Sequence, residues 1–217
     1  MVKRLVMTVV VAMAAAACGG DDPSAFVEPD QQTDDCLVRL HGKSGDGRSW
    51  SVDDGVAVIS PRGNDEGWGG YQWNYLTEAN YAEARTIVGD AIEATGCTRV
   101  AVHGFSNGAS MAAKLACDAT TADWPVVGYV VDDPVTDDAT IGCERTDGVE
   151  VAVYWTGALG RSASPGTSCA GLDWTCEGGA VRGIDAFAAD LGVEWEPSVH
   201  TEHTWYDDAP ELVEWLS

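Results

Sequence analysis

Short apolar runs alternate with stretches of helical period along most of the chain. The runs Cys36–Gly42, Gly55–Gly63, Arg99–Gly104, Val126–Pro134, Val149–Gly157 and Val193–Val199 read as strands. Between Thr77 and Gly96, apolar Ala84, Ile87, Val88, Ala91 and Ile92 recur every three or four residues, so this stretch reads as a helix ended by Gly96. Ser106–Asp118, Gly183–Gly192 and Ala209–Ser217 read as further helices. The strands are apolar on both faces, as a parallel sheet covered by helices requires. The order of elements predicts an α/β fold with a mostly parallel central sheet flanked by helices. One stretch stands apart. Ala158–Gly179 is a long run rich in glycine and serine that holds Cys169 and Cys176, and long loops of this kind in compact domains tend to be functional.

The first residues carry a different pattern. Lys3 and Arg4 precede an apolar run from Leu5 to Ala17, too short to span a bilayer and suited to an export signal. Residues 1–17 are therefore expected to be removed. Ala15-Ala16-Ala17-Cys18 resembles a bacterial lipobox, which implies a lipid on Cys18. Residues 18–34 then form a polar tether, and residues 35–217 a minimal single domain. The expected location is outside the cytoplasm, either lipid-anchored to the envelope or secreted.

Net charge changes the list of partners. At −23, with three lysines, the surface should repel nucleic acid and anionic membranes, so membrane contact is expected only through the lipid on Cys18. Export also gives the cysteines meaning. Setting Cys18 aside leaves Cys36, Cys97, Cys117, Cys143, Cys169 and Cys176, an even set that suggests disulfides in an oxidising compartment. Their spacing alone leaves the pairing open. Neither a CxxC nor a His-Cys cluster points to a metal.

The chemistry concentrates at Gly104-Phe105-Ser106-Asn107-Gly108, a G-x-S-x-G pattern between a strand and a helix. In that context the glycines permit a sharp turn that pushes Ser106 out at the top of the sheet, with the helix N-terminus favouring negative charge beside it. A serine needs a base. Of the four histidines, His41 lies in a glycine-bearing loop and His103 inside the strand, while His200 and His203 both follow the last predicted strand.

The elbow, the strand order and a late histidine resemble the α/β-hydrolase superfamily over most of Cys36–Ser217. Locally, "GFSNGASMAAKLAC" is similar to secreted esterases of the polyhydroxybutyrate depolymerase and feruloyl esterase kind. The resemblance implies a serine esterase that needs no cofactor, with Ser106 as nucleophile and His203 as base. It implies oxyanion donors at Asn107, after the serine, and at Lys43, in "LHGKSGDG", which resembles the HG-x loop of hydrolases. The acid departs from the pattern, because G-x-x-D after the fifth predicted strand reads Gly157-Ala158-Leu159-Gly160. Two aspartates compete. Asp133 ends the preceding strand before Pro134, as in some pancreatic-type lipases. Asp173 lies in a C-x3-D-x2-C loop similar to cutinases. The cutinase likeness implies Cys36–Cys97 and Cys169–Cys176 bridges, with Cys117–Cys143 completing the set. Trp68, Tyr71, Trp73 and Trp205 are candidate walls of a substrate cleft. The expected partner is a small or polymeric ester, met by a monomer. An amidase with the same triad, or a binding protein that keeps only the fold, are the alternatives.

Overall fold

A computed structural model describes residues 33–67, 69–156 and 183–217, together with the backbone of 167–168 and 180–181. The signal, Cys18, most of the tether, Trp68, Cys169, Asp173 and Cys176 lie outside the described residues. The strands are β1 (Asp35–Leu40), β2 (Ser49–Asp53), β3 (Val56–Ser60), β4 (Asp65–Gly67), β5 (Gly70–Gln72), β6 (Arg99–Phe105), β7 (Val126–Asp132), β8 (Glu150–Trp155), β9 (Thr167–Ser168), β10 (Ala180–Val181) and β11 (Trp195–Pro197). The helices are α1 (Glu78–Thr95), α2 (Asn107–Ala116), α3 (Ile184–Asp190) and α4 (Pro210–Trp215).

Seven strands form the central sheet in the order β11-β8-β7-β6-β1-β3-β2. All neighbours are parallel except the antiparallel β2–β3 pair at one edge. Alternation along the central strands sends side chains to two different cores. Val100 and Val102 of β6, Tyr129 and Val131 of β7, and Val153 and Trp155 of β8 pack in one cluster with α1, α2 and α3. The residues between them, Ala101, Val130 and Tyr154, pack on the other face with Leu212 and Trp215 of α4. Gly128 makes room for that second layer, since a Cβ there would stand 2.6 Å from the Trp215 ring.

The second predicted strand is β3, and β2 before it was not foreseen. Asp54 and Gly55, both at positive φ, close a two-residue hairpin between β2 and β3. The β4–β5 hairpin was also missed. Helix α1 follows its predicted span, capped at its start by the Thr77 side chain accepting from the Asn80 amide and at its end by Gly96 in the left-handed conformation.

Two disulfides are present among the described residues, Cys36–Cys97 and Cys117–Cys143, two of the three expected pairings. The first ties the start of β1 to the turn before β6; the second ties the end of α2 to the segment before β8. Across separations of 61 and 26 residues, loop closure makes these worth about 4 and about 3.5 kcal/mol of unfolded-state entropy.

The two elbow glycines have no spare volume. A Cβ on Gly108 would overlap the carbonyl oxygen of Leu40 and come within 2.6 Å of that of His41. A Cβ on Gly104 would overlap Gly108 itself and lie 2.8 Å from the Ala109 Cα. These obstacles are backbone, which cannot rotate aside. Gly108→Ala should therefore cost ~3 kcal/mol or more, at the upper end of overpacking. Urea melts of the two proteins measure this.

Candidate active site

The site stands at the C-terminal ends of the parallel strands, where α/β folds gather their chemistry. Ser106 follows β6 directly at φ 56° and ψ −119°, a conformation that an L-residue holds at a cost of about 1–3 kcal/mol. The backbone is held there from several sides. Its N–H donates to the Asp132 carbonyl at 3.0 Å, and its own carbonyl accepts from Ala109 and Ser110 in the first turn of α2. Although Ser106 occupies the N-cap position, its hydroxyl makes no capping bond.

Asp133 follows β7, also at positive φ (48°), and is wholly buried. Its carboxylate accepts three hydrogen bonds. The Thr156 amide donates to Oδ1 at 3.1 Å, the Thr156 hydroxyl to Oδ2 at 2.7 Å, and His203 Nδ1 to Oδ2 at 2.5 Å. A carboxylate can only accept, so the proton sits on Nδ1 and the lone pair of the imidazole on Nε2. The His203 ring lies over Phe105, the residue before Ser106, with centroids 4.4 Å apart. The structure thus brings His203 to Asp133 and beside the elbow.

The loop after β1 passes against the serine. A Cβ on Gly42 would stand 3.1 Å from the Ser106 Cβ, tighter than ordinary contact, so the glycine eases the close pass of this loop against the serine. Lys43 and Asn107 border one small gap of about 10 Å³, shared with Trp73, Val135 and Asp137. The Asn107 side chain is occupied elsewhere. Its Oδ1 accepts from the Trp73 amide at 2.7 Å and its Nδ2 donates to the Trp73 carbonyl at 3.1 Å, which pins the β5–α1 connection to the elbow. His41 supports the same loop. Nδ1 donates to the Gly42 carbonyl at 2.7 Å and Nε2 accepts from the Gly63 amide at 3.0 Å, which uses one neutral tautomer completely. Burial pulls its pKa below the ordinary histidine value, with the Gly42 bond and Asp46 acting in the opposite sense.

Three of the four aromatic cleft candidates fall among the described residues. Trp73 is 2% exposed and belongs to the core, so it lies beneath the site and offers no free wall. Trp205 is half-buried, with its ring 5.1 Å from Phe105, edge-on to His103 at 4.8 Å and under the Arg39 guanidinium at 4.2 Å. Tyr71 stacks under Arg62 at the border of a cleft of about 700 Å³ whose lining includes neither Ser106 nor His203. The three described rings each have a packing partner that the linear pattern did not reveal, and Trp68 lies outside the described residues. His200 lies in the loop after β11, edge-on to Tyr206. Among the described residues, no group of His, Cys, Asp and Glu converges as a metal site would.

Thr156 and Asp137 were not singled out in the sequence. Thr156 had a faint signal, a hydroxyl at the end of an apolar strand next to the one carrying Asp133. Asp137 is buried near Asn107, accepting from the Tyr75 hydroxyl at 2.8 Å and the Ala139 amide at 3.0 Å. Burial outweighs both bonds and pushes its pKa up to about 6. A raised carboxyl pKa means that folding favours the protonated form. This contribution is complete below the ordinary value of 3.8 and is lost as pH rises through about 6. Asp137→Asn keeps the Ala139 bond at its carbonyl oxygen, reverses the Tyr75 bond so that the hydroxyl accepts from the NH2 group, and removes the charge. It should raise stability at pH 8 by up to roughly 3 kcal/mol and leave it unchanged near pH 3.5. Thermal melts at the two pH values check this.

No protein-family model matches the chain, and no curated protein sequence matches it significantly. Solved structures do. Acyl-protein thioesterase 2 of Zea mays aligns over 88% of this chain and 95% of its own, with a TM-score of 0.53 and 16% identity. A Bacillus cereus carboxylesterase aligns over 85% and 88%, with a TM-score of 0.50 and 19% identity. A Mesorhizobium loti carboxylesterase aligns over 85% and 87%, with a TM-score of 0.51 and 15% identity. At such identities the likeness speaks to architecture, and with the strand order and the elbow it shows that this chain has the α/β-hydrolase fold.

Proposed function

We propose that the protein is an exported serine hydrolase that cleaves carboxylic esters through an acyl-enzyme. The observation that carries this reading is the 2.5 Å contact of His203 Nδ1 with buried Asp133, beside a serine held at positive φ. Ser106 Oγ attacks the ester carbonyl while His203 Nε2 takes its proton. Asp133 keeps the imidazole in that tautomer and stabilises the imidazolium. The backbone N–H groups of Asn107 and Lys43 receive the oxyanion. His203 then protonates the leaving alcohol, and water, activated by the same imidazole, releases the acid. No metal or cofactor enters these steps.

The carboxylesterase and thioesterase names of proteins sharing the fold support carboxylic esters and thioesters as the classes to test first. The local likeness of the elbow adds polyester, feruloyl and acetyl esters. The apolar leader, Cys18 and the two disulfides support a site of action outside the cytoplasm. A fluorophosphonate probe should label the folded protein at Ser106, located by peptide mass spectrometry, and p-nitrophenyl and aryl esters should be hydrolysed. Esters should be cleaved far faster than matched amides. A folded protein that neither labels nor hydrolyses any of these would be a binding protein on a hydrolase fold, and the proposal would fall.

A further inference from the structure

Asp132 and Asp133 are consecutive, and both are wholly buried. Asp133 serves His203, which leaves Asp132 to be explained. A buried carboxylate is costly without partners, and an apolar residue ending an apolar strand would pack more cheaply. Asp132 is only partly satisfied. Its Oδ2 accepts the backbone N–H of Tyr206 at 2.7 Å, and His103 Nε2 of the neighbouring strand β6 stands 3.4 Å from the same oxygen. Among the described residues, Asp132 Oδ1 and both nitrogens of the fully buried His103 have no hydrogen-bond partner. Incomplete satisfaction of this kind in a core asks for a reason other than stability.

The reason lies in what Tyr206 is joined to. The segment from His203 to Asp207 is fastened to the sheet by almost every residue. His203 bonds Asp133. Trp205 packs between the ring of Phe105, the edge contact with His103 and the guanidinium of Arg39. Tyr206 gives its N–H to Asp132. Asp207 pairs with Arg39. Of these, the Asp132 bond is the buried, directional tie to the backbone, three residues from the imidazole. It anchors the segment to the end of β7.

We propose that Asp132, with His103 packed against it, is a positioning residue that sets the register of the segment carrying His203 and so aims the imidazole at Ser106. The proposal rests on the esterase reading above. Its test compares Asp132→Ala, which removes the acceptor, with Asp132→Asn, which keeps an oxygen of the same shape for the Tyr206 N–H. Asp132→Ala should lose ~100-fold in kcat on an aryl ester, as a displaced catalytic group does, with KM nearly unchanged and fluorophosphonate labelling slowed alongside. Asp132→Asn should recover most of that loss. A simple loss of stability would not separate the two variants in this way once both are shown to be folded.

A second readout needs no turnover. The Nδ1 proton of His203, bound to Asp133, should give a far-downfield proton resonance that survives Asp132→Asn and disappears or shifts in Asp132→Ala. If Asp132→Ala fails to fold, the double variant Asp132→Leu/His103→Leu replaces both polar groups with apolar ones of similar bulk, a change that buried ion pairs often tolerate. It should fold and still lose kcat and the downfield proton. Unchanged kcat in a folded Asp132→Ala or in the double variant overturns the proposal, and so does an equal loss in the Asn and Ala variants. An unreactive wild-type protein counts against the esterase reading instead, and the downfield proton then decides the positioning by itself.

Discussion

Ester hydrolysis should fall about a millionfold when Ser106 becomes alanine, and the fold should survive. The size of the loss follows from the roles argued above. Without Oγ there is no acyl-enzyme, and the oxyanion donors and the base are left to assist water alone. The survival follows from the local structure. The Ser106 hydroxyl makes no cap for α2, so the substitution removes no capping bond. Alanine inherits the same φ of 56° and the same steric cost, so its melting temperature should sit within a few degrees of the parent. Ser106→Gly makes the complementary point. Glycine holds that φ freely, and relief of ~1–3 kcal/mol of backbone strain outweighs its larger unfolded-state entropy of ~0.5–1 kcal/mol. The glycine variant should therefore melt above the alanine variant while being equally inactive. Hydrolysis assays with calorimetry on the three proteins check both statements. An alanine variant that keeps measurable turnover and still labels with fluorophosphonate would remove Ser106 from the mechanism.

The parts of the fold read well from the pattern are those whose apolar residues decide their own place. Strands β6 and β7 are apolar on both sides because helices cover both faces there, β1 and β3 bury every second residue in the main core, and α1 shows its stripe between Ala84 and Ile92. The missed elements are those with little to bury. Strand β2, Ser-Trp-Ser-Val-Asp, is an edge strand with every second residue exposed, and its best signal was the Asp54-Gly55 turn rather than its own hydrophobicity. Trp73 stood open between cleft and core for the opposite reason. A tryptophan near a glycine-rich loop serves a cleft or a core equally well until the Asn107 amide is seen clasping its backbone.

The acid was ambiguous for a physical reason of the same kind. Neighbouring parallel strands end at one rim, and a carboxylate at either end can meet a histidine delivered by a distant loop. The 203–207 segment, held by contacts to Arg39, His103 and Asp132 that no local spacing encodes, places His203 against Asp133, while Asp173 lies outside the described residues.

Asp133→Asn should lower kcat about 10⁴-fold with little change in KM. The mechanism is a change of tautomer rather than a lost contact. Thr156 donates its amide to Oδ1 and its hydroxyl to Oδ2, while His203 Nδ1 also reaches Oδ2. An asparagine carbonyl takes the Oδ1 place, since the Thr156 amide can only donate. Its NH2 group then occupies the Oδ2 place, where the Thr156 hydroxyl can turn and accept. Facing that NH2, His203 Nδ1 must give up its proton and accept, which moves the proton to Nε2. An imidazole protonated there cannot receive the proton of Ser106. Thr156→Val keeps the amide bond, removes the hydroxyl and leaves the tautomer correct, so its loss should be only about tenfold, the scale of one displaced hydrogen bond. Steady-state kinetics on one ester, with the downfield Nδ1 proton of His203 as a second probe, separate these cases. If Asp133→Asn instead turns over like the parent, the acid lies elsewhere. Asp173, in the Cys169–Cys176 stretch, is then the residue whose amide variant should carry the loss.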